Sequence, residues 1–84
     1  MINYTTEFIT YDAPQMVPSN CNDITFINYG SSVCFIENIV LQQNQSFSIS
    51  GNECEFTSQN FNVRFDNSGS NNLVVAKKVY TNVN

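Results

Sequence analysis

The side chains that could carry chemistry in this sequence are three cysteines and two neighbouring glutamates. Cys21, Cys34 and Cys54 are widely spaced and contain no C-x-x-C pair, so they do not match a zinc site. The chain has no histidine, so the usual Ser-His and Cys-His nucleophile pairs are missing. Glu53 and Glu55 would share one face of a strand, as half of an acid–base pair or a weak calcium ligand set, or as two solvated charges beside a turn. We favour solvated charges, and predict no catalytic residue, no metal site and no cofactor.

The cysteines are better explained by packing than by chemistry. An odd number of cysteines does not suit a disulfide framework, so the default expectation is three reduced thiols made in a reducing cytoplasm. Cys34 lies between Val33 and Phe35 in a predicted strand, where a small apolar side chain fits a core. One bridge, for instance between Cys21 and Cys54, stays open if the mature protein meets an oxidising medium.

Aromatic and basic side chains offer two further candidates. The four tyrosines, Tyr4, Tyr11, Tyr29 and Tyr80, could stack against sugar rings beside the many amides of the chain. The alternative is that they cover sheet edges with their hydroxyls in water, which is the commoner placement. In the last strand Lys77 and Lys78 are adjacent, so one of them must point inward unless a bulge intervenes. We interpret an inward lysine as a guard against edge-to-edge aggregation.

Charge is scarce and its balance is acidic. The chain has three basic and seven acidic residues, for a net charge of −4. Binding to nucleic acid or to an anionic membrane requires clustered lysines and arginines, so neither is an expected partner. The polar surface is instead rich in amides and hydroxyls, with 14 Asn, 9 Ser, 6 Thr and 5 Gln. Such a surface repels copies of itself only weakly.

The chain shows neither a secretory leader nor a membrane span. Its first residues lack a basic region and an apolar run of signal-peptide length. No stretch approaches the ~20 apolar residues that span a bilayer. We therefore expect synthesis in the cytoplasm without a signal peptide.

The elements that must position these residues are short strands with period-two alternation. The clearest are 24–29, 46–50 and 61–65, separated by segments rich in Asn, Ser and Gly. No apolar set repeats at helical spacing over about 11 residues. Six to seven short strands predict an all-β fold, a small antiparallel β-sandwich or jelly-roll-like barrel. The predicted core consists of Phe26, Phe35, Phe47, Ile49, Phe61, Val63, Phe65 and Val75.

The first 20 residues differ from the rest. Residues 5–11 favour an extended segment, which Pro14 and then Pro18 interrupt. We expect residues 1–20 to form an extended N-terminal arm or edge strand, and residues 21–84 to form a single β-sandwich domain. Because strand addition to an exposed edge is a known mode of association, residues 1–20 are the predicted intersubunit contact.

The central strands resemble a pattern found in small β-rich virion proteins of bacteriophages, notably those infecting Bacteroidetes. The residues that carry the resemblance are 24–30, 33–36, Leu41, 45–49 and 72–80, within residues 23–80. A strand ends in Asn-x-Gly, an apolar strand returns, and a Gln-Ser segment begins the next strand. The chain departs from the pattern at Gln43-Asn44, where a Pro-Gly turn is usual. The resemblance implies a capsid, spike or tail component and carries no catalytic residues.

Two functions follow as hypotheses. The first is a non-enzymatic structural virion protein that forms homo-oligomers and contacts other virion proteins through β-rich subunit contacts. The alternative is a carbohydrate-binding module that uses Tyr and Asn/Gln side chains, with a host surface glycan as its partner.

Overall fold

The fold consists of β-strands throughout its described length. A computed structural model describes residues 2–51, 56 and 58–82, and these residues form eight strands and no helix. The strands are β1 (Ile2–Tyr11), β2 (Gln15–Pro18), β3 (Asp23–Asn28), β4 (Cys34–Ile36), β5 (Ile39–Leu41), β6 (Ser46–Ile49), β7 (Asn60–Phe65) and β8 (Leu73–Asn82). The number exceeds the six or seven predicted because β1 and β2 both belong to the first 20 residues.

The strands form two facing antiparallel sheets, in the orders β1-β8-β3-β6 and β2-β7-β4-β5. Four pairings, β1·β8, β2·β7, β3·β6 and β4·β5, are those of one long hairpin. Two more, β3·β8 and β4·β7, form when that hairpin rolls up into two layers. This is the connectivity of an eight-stranded jelly roll. The predicted all-β sandwich is confirmed.

Period-two alternation places one apolar row of each strand between the sheets. On β3, Ile24, Phe26 and Asn28 are buried, while on β7 the inward residues are Phe61 and its i+2 and i+4 neighbours. The ring of Phe26 meets that of Phe61 edge-on at 5.2 Å between centroids and stacks on Phe47 at 6.1 Å. The contact between Phe26 and Phe61 joins the two sheets, because β3 and β7 belong to different layers, whereas Phe47 lies on β6 beside β3 in the same sheet.

The prediction that Phe35 belongs to the core is wrong. Phe35 is only partly buried, because the neighbouring residues of β4, Cys34 and Ile36, are the ones that point inward. Since adjacent strand residues face opposite sides, Phe35 must face outward when Cys34 is inside. There the guanidinium of Arg64 lies 5.3 Å from the ring centroid. The other predicted core residues are buried or packed against the core.

Two loops close one end of the sandwich and approach each other at backbone distance. The amide of Ser32 donates to the carbonyl of Ser70, and the amides of Tyr29 and Gly30 both donate to the carbonyl of Asn72. A Cβ on Gly30 would lie 2.2 Å from the Ser70 carbonyl oxygen, so this position requires glycine. The contact holds the β3–β4 loop against the β7–β8 loop.

The other end of the sandwich is extended by a two-stranded ribbon. β1 and β8 pair over ten residues each, whereas β3 reaches only as far as Asp23 opposite Lys78. Residues 79–82 therefore pair with residues 2–5 beyond the end of β3. The molecule measures 49 × 18 × 17 Å, which reflects this extension.

Candidate functional site

The described cysteines do not form a nucleophilic site. Cys21 and Cys34 are both buried in the core between the sheets. Burial raises the pKa of the Cys34 thiol to about 11, so the thiol stays protonated at neutral pH. Cys54, and with it the alternative Cys21–Cys54 bridge, lies outside the described residues.

Among the acidic residues that the structure describes, Asp66 has the most side-chain hydrogen bonds. Glu53 and Glu55 lie outside the described residues, so their pairing stays a prediction. Asp66 is exposed, and its Oδ1 accepts from the Ser68 amide at 2.9 Å, the Ser68 hydroxyl at 2.7 Å and the Val33 amide at 3.0 Å. These bonds hold the pKa of Asp66 below its usual value, chiefly through the Ser68 amide. The Asp66 carboxylate therefore stabilises the turn that follows it, by accepting hydrogen bonds from Ser68.

The described residues enclose no cavity and contain no set of three His, Cys, Asp or Glu side chains able to hold a metal ion. They also include no helix long and apolar enough to cross a bilayer. The surfaces that the described residues offer to a partner are the outer faces of the two sheets and their edges.

The tyrosines separate into three environments. Tyr11 packs against the core, and Tyr29 is exposed just after β3, at the end opposite Asp23. Tyr4 and Tyr80 face each other across the β1–β8 ladder and meet edge-on at 5.9 Å between centroids. The Nζ atom of Lys78 lies 4.3 Å from the Tyr4 ring centroid and 4.9 Å from that of Tyr80. This cation lies over both rings, which orders all three side chains.

Phe8 extends this cluster along β1. It lies four residues from Tyr4, on the same face of the strand, and 72% of its side chain is exposed. We call Tyr4, Phe8, Lys78 and Tyr80 the aromatic face. The sequence analysis did not single out Phe8; the available signal was the spacing of Tyr4, Thr6 and Phe8 at every second residue, which places them on one face of a strand.

Lys77 is the inward lysine, and the predicted choice between it and Lys78 is resolved. Its side chain is buried, and its Nζ donates to the carbonyl oxygen of Pro18. The interpretation as an edge guard is wrong, because β8 lies between β1 and β3 in the interior of its sheet. Lys77 instead connects the two layers, because Pro18 belongs to β2 of the opposite sheet.

One edge of the first sheet is formed by β1, and the other by β6. β1 runs in unbroken register with β8 from Ile2 to Tyr11, without a bulge. It contains no proline and no lysine, and its one charged residue is Glu7. Natural edge strands are commonly protected by those devices. The edge of β1 and the adjoining aromatic face together form the candidate interaction surface.

Comparison with protein-family models, with curated proteins and with solved structures finds no match to this chain. Its function must therefore be inferred from its fold and its surfaces.

Proposed function

We propose that this chain is a non-enzymatic structural protein of a virion, as a capsid, spike or tail component, that assembles through β-rich subunit contacts. The observation that carries the proposal is a ten-residue edge strand, without bulge, proline or lysine, on a jelly roll. Jelly rolls occur in viral capsid and lectin domains, so the fold supports this role by analogy.

The exposed apolar side chains favour association. Phe8 is 72% exposed and Tyr4 57% exposed on the strand that ends the sheet. Large apolar side chains grouped on a surface commonly mark contact sites. The low charge of the chain keeps repulsion between copies small.

The proposed partners are further copies of this chain and other virion proteins. Direct contact with nucleic acid or membrane is not proposed, since the sequence has only three basic residues. Lys78 lies over two tyrosine rings and Lys77 is buried, so two of the three form no exposed cationic patch. The absence of enzymatic activity is proposed from the lack of histidine and the protonated Cys34 thiol.

The proposal is tested by the mass of the purified chain in solution across a concentration series. We expect the mass to rise with concentration. Phe8→Thr should shift the midpoint to concentrations about tenfold higher, because it removes an exposed aromatic contact. Val40→Thr, at a half-exposed apolar residue on β5 of the other sheet, is the matched control and should leave the midpoint unchanged. A strict monomer at about 1 mM would contradict self-assembly.

The virion assignment needs its own measurement. Peptide mass spectrometry of density-purified particles from the source culture should detect this chain in a fixed ratio to the other particle proteins. Its absence from such particles would contradict a structural virion role, even if the purified chain self-associates.

A second candidate function is carbohydrate binding, favoured by the pairing of Tyr4 and Tyr80 under Lys78. Aromatic faces stack on sugar rings, and the cation could contact a hydroxyl or an acidic sugar. On a glycan array, Tyr4→Ala should abolish binding, whereas Tyr29→Ala, at a separate exposed tyrosine, should not. No binding at millimolar sugar would remove this candidate.

A further inference from the structure

If the chain self-assembles as proposed, the structure indicates which strand of a second copy pairs with β1. β1 lies at the end of its sheet, and its ten residues make it the longest edge strand among the described elements. The other edge strands are β6 with four residues, β2 with four including Pro18, and β5 with three. Only another β1 can match its length, so the partner strand with the most backbone hydrogen bonds is β1 of a second copy.

We propose that two copies pair antiparallel through β1 about a two-fold axis at Thr6, which joins their first sheets into one continuous eight-stranded sheet. A two-fold contact between identical strands is closed and self-complementary. Directly opposite residues must point to the same face, so one residue of β1 has to face its own copy on the axis. The residue on the two-fold axis must therefore be Thr5, Thr6, Glu7 or Phe8, because an axis nearer either end of the strand would pair too few residues.

Charge and length select among these four registers. An axis at Glu7 sets two carboxylates directly opposite each other, which is unfavourable. An axis at Thr5 pairs only residues 2–8, and one at Phe8 only residues 5–11. An axis at Thr6 pairs residues 2–10 and places Glu7 opposite Thr5 of the partner subunit.

The Thr6 register also covers the exposed aromatic side chains. It places Phe8 opposite Tyr4 of the partner subunit on the outer face, and the reverse contact follows by symmetry. Tyr4 already contacts Tyr80 within its own chain, so each end of the interface becomes a row of three aromatic rings. Cross-strand aromatic pairs of this kind stabilise antiparallel sheets. The two large hydrophobic side chains exposed on β1 are thus the ones that this register brings into contact.

The interface is narrow, so we expect a weak dimer. Nine residue pairs at ~3.4 Å each span ~30 Å, and a strand pair of that length buries less than the ~1,200 Å² of a standard stable interface. The expected dissociation constant is therefore in the range of about 10–100 μM. Measurements must be made above that concentration.

The register is tested by single cysteine substitutions along β1, oxidised at about 200 μM and analysed on non-reducing gels. Only a residue on the axis faces its own copy, so Thr6→Cys should form the homodimeric disulfide at least about fivefold faster than Thr10→Cys. Thr5→Cys and Phe8→Cys test the alternative registers, in which the two-fold axis passes through Thr5 or Phe8 and that residue faces its own copy. Peptide mass spectrometry identifies the linked residues and separates them from bonds made by native cysteines. Fastest cross-linking at residue 5 or 8, or no excess over Thr10→Cys, would overturn the proposed axis.

A charge test gives an independent readout that does not depend on disulfide formation. Thr6 lies opposite Lys78 in its own sheet, so Thr6→Glu should be tolerated by the isolated fold. At the axis it sets two carboxylates face to face and should weaken dimerisation about fivefold or more. Thr10→Glu carries the same net charge, lies opposite Val74, and should leave dimerisation nearly unchanged. Equal effects of the two variants in sedimentation equilibrium would contradict the Thr6 axis.

The failure of this inference is distinguishable from failure of the proposed function. A wild-type chain that stays monomeric contradicts self-assembly as a whole. A wild-type chain that associates, but shows neither the Thr6→Cys cross-link nor the Thr6→Glu effect, associates through another surface, and only the β1 pairing is then wrong.

Discussion

Asn28 is a polar side chain in the core whose hydrogen-bonding atoms have partners in the β3–β4 loop and at the end of β5. Its Nδ2 donates to the carbonyl oxygens of Ser32 and Leu41, each at 2.9 Å, and its Oδ1 accepts from the Gly30 amide at 3.1 Å. Leu41 ends β5 in the second sheet, so the bond connects the two layers. A buried amide is tolerated because these bonds replace those it would make with water.

Asn28→Ala should lower the free energy of unfolding by about 3 kcal/mol, because it leaves the buried Ser32 and Leu41 carbonyls without this donor. Asn62→Ala is the matched control on β7, where the side chain is exposed, and should change stability by less than about 0.5 kcal/mol. Urea unfolding of both variants measures the difference. Similar values for the two would show that the Asn28 network contributes little.

Asp66 gives the fold a pH dependence of defined sign. Its pKa lies below the ordinary 3.8, first because the Ser68 amide donates to the carboxylate and then because the Ser68 hydroxyl does. A pKa that is lower in the folded state means that the ionised form stabilises the fold. This contribution is present above pH 3.8 and is lost as the pH falls through the folded-state pKa.

We therefore expect Asp66→Asn to melt below the wild type at pH 7 and the gap to close as the pH falls below 3.8. Thermal unfolding followed by circular dichroism at several pH values measures this gap. In a Ser68→Ala background the gap at pH 7 should be smaller, because the hydroxyl donor is gone. A gap that stays constant from pH 7 to pH 2 would contradict this account.

At the scale of elements, the β3–β4 and β7–β8 loops are held at a distance that only small residues permit. A Cβ on Gly30 would meet backbone atoms of Ser70 and Asn72, at 2.2 and 2.7 Å. A Cβ on Gly69 would first meet the Ser31 hydroxyl, at 2.0 Å, which is the end of a side chain that can rotate away. The two glycines therefore differ in what must move when they are replaced.

Gly30→Ala should destabilise the chain by about 3 kcal/mol, because two backbone segments must separate. Gly69→Ala should cost less, about 2 kcal/mol: a rotation of Ser31 relieves the closest contact, but it breaks the hydrogen bond from the Ser70 amide and leaves the Ser31 Cβ at 2.9 Å. Denaturant unfolding of both variants under one set of conditions tests whether Gly30→Ala loses more stability than Gly69→Ala. The reverse order would mean that the loops are not held in backbone contact.

At the scale of the whole molecule, different parts of the first 18 residues contribute differently to the stability of the fold. Residues 2–5 pair only with the end of β8, beyond β3. Val17 on β2 is fully buried, and Pro18 accepts the hydrogen bond from Lys77. The segment is thus both a ribbon at the edge and a component of the core.

Deletion of residues 1–5 should leave a cooperative fold with a melting temperature lowered by roughly 5 °C or less, since residues 3–5 are exposed and pair only with the end of β8. Deletion of residues 1–18 should abolish cooperative unfolding, because it removes two strands and opens the core at Val17. Circular dichroism melts of both truncations provide the measurement. Cooperative folding without residues 1–18 would show that the segment is an accessory arm.

Period-two alternation in the sequence was sufficient to predict the strands and most of their inward residues. Ile24 and Phe26 on β3, and Phe61, Val63 and Phe65 on β7, point inward as expected. The local pattern determines this because a strand's faces depend only on its own residues. Phe35 shows the limit of this kind of prediction. Cys34 and Phe35 are both apolar and adjacent, so only one of them can face inward, and the local pattern does not show which one does.

The partners of each strand were decided by the tertiary structure. Tyr4 and Tyr80 are distant in sequence and meet only because the first and last strands pair. For the same reason, Lys77 became a connection between layers once β8 lay inside its sheet, and β1 became the exposed edge. Alternation specifies which side of a strand is apolar, but pairing depends on which distant strands pack best together. The sequence by itself therefore determined a two-layer β-protein of low charge, and the rolled hairpin decided which of its surfaces is open to a partner.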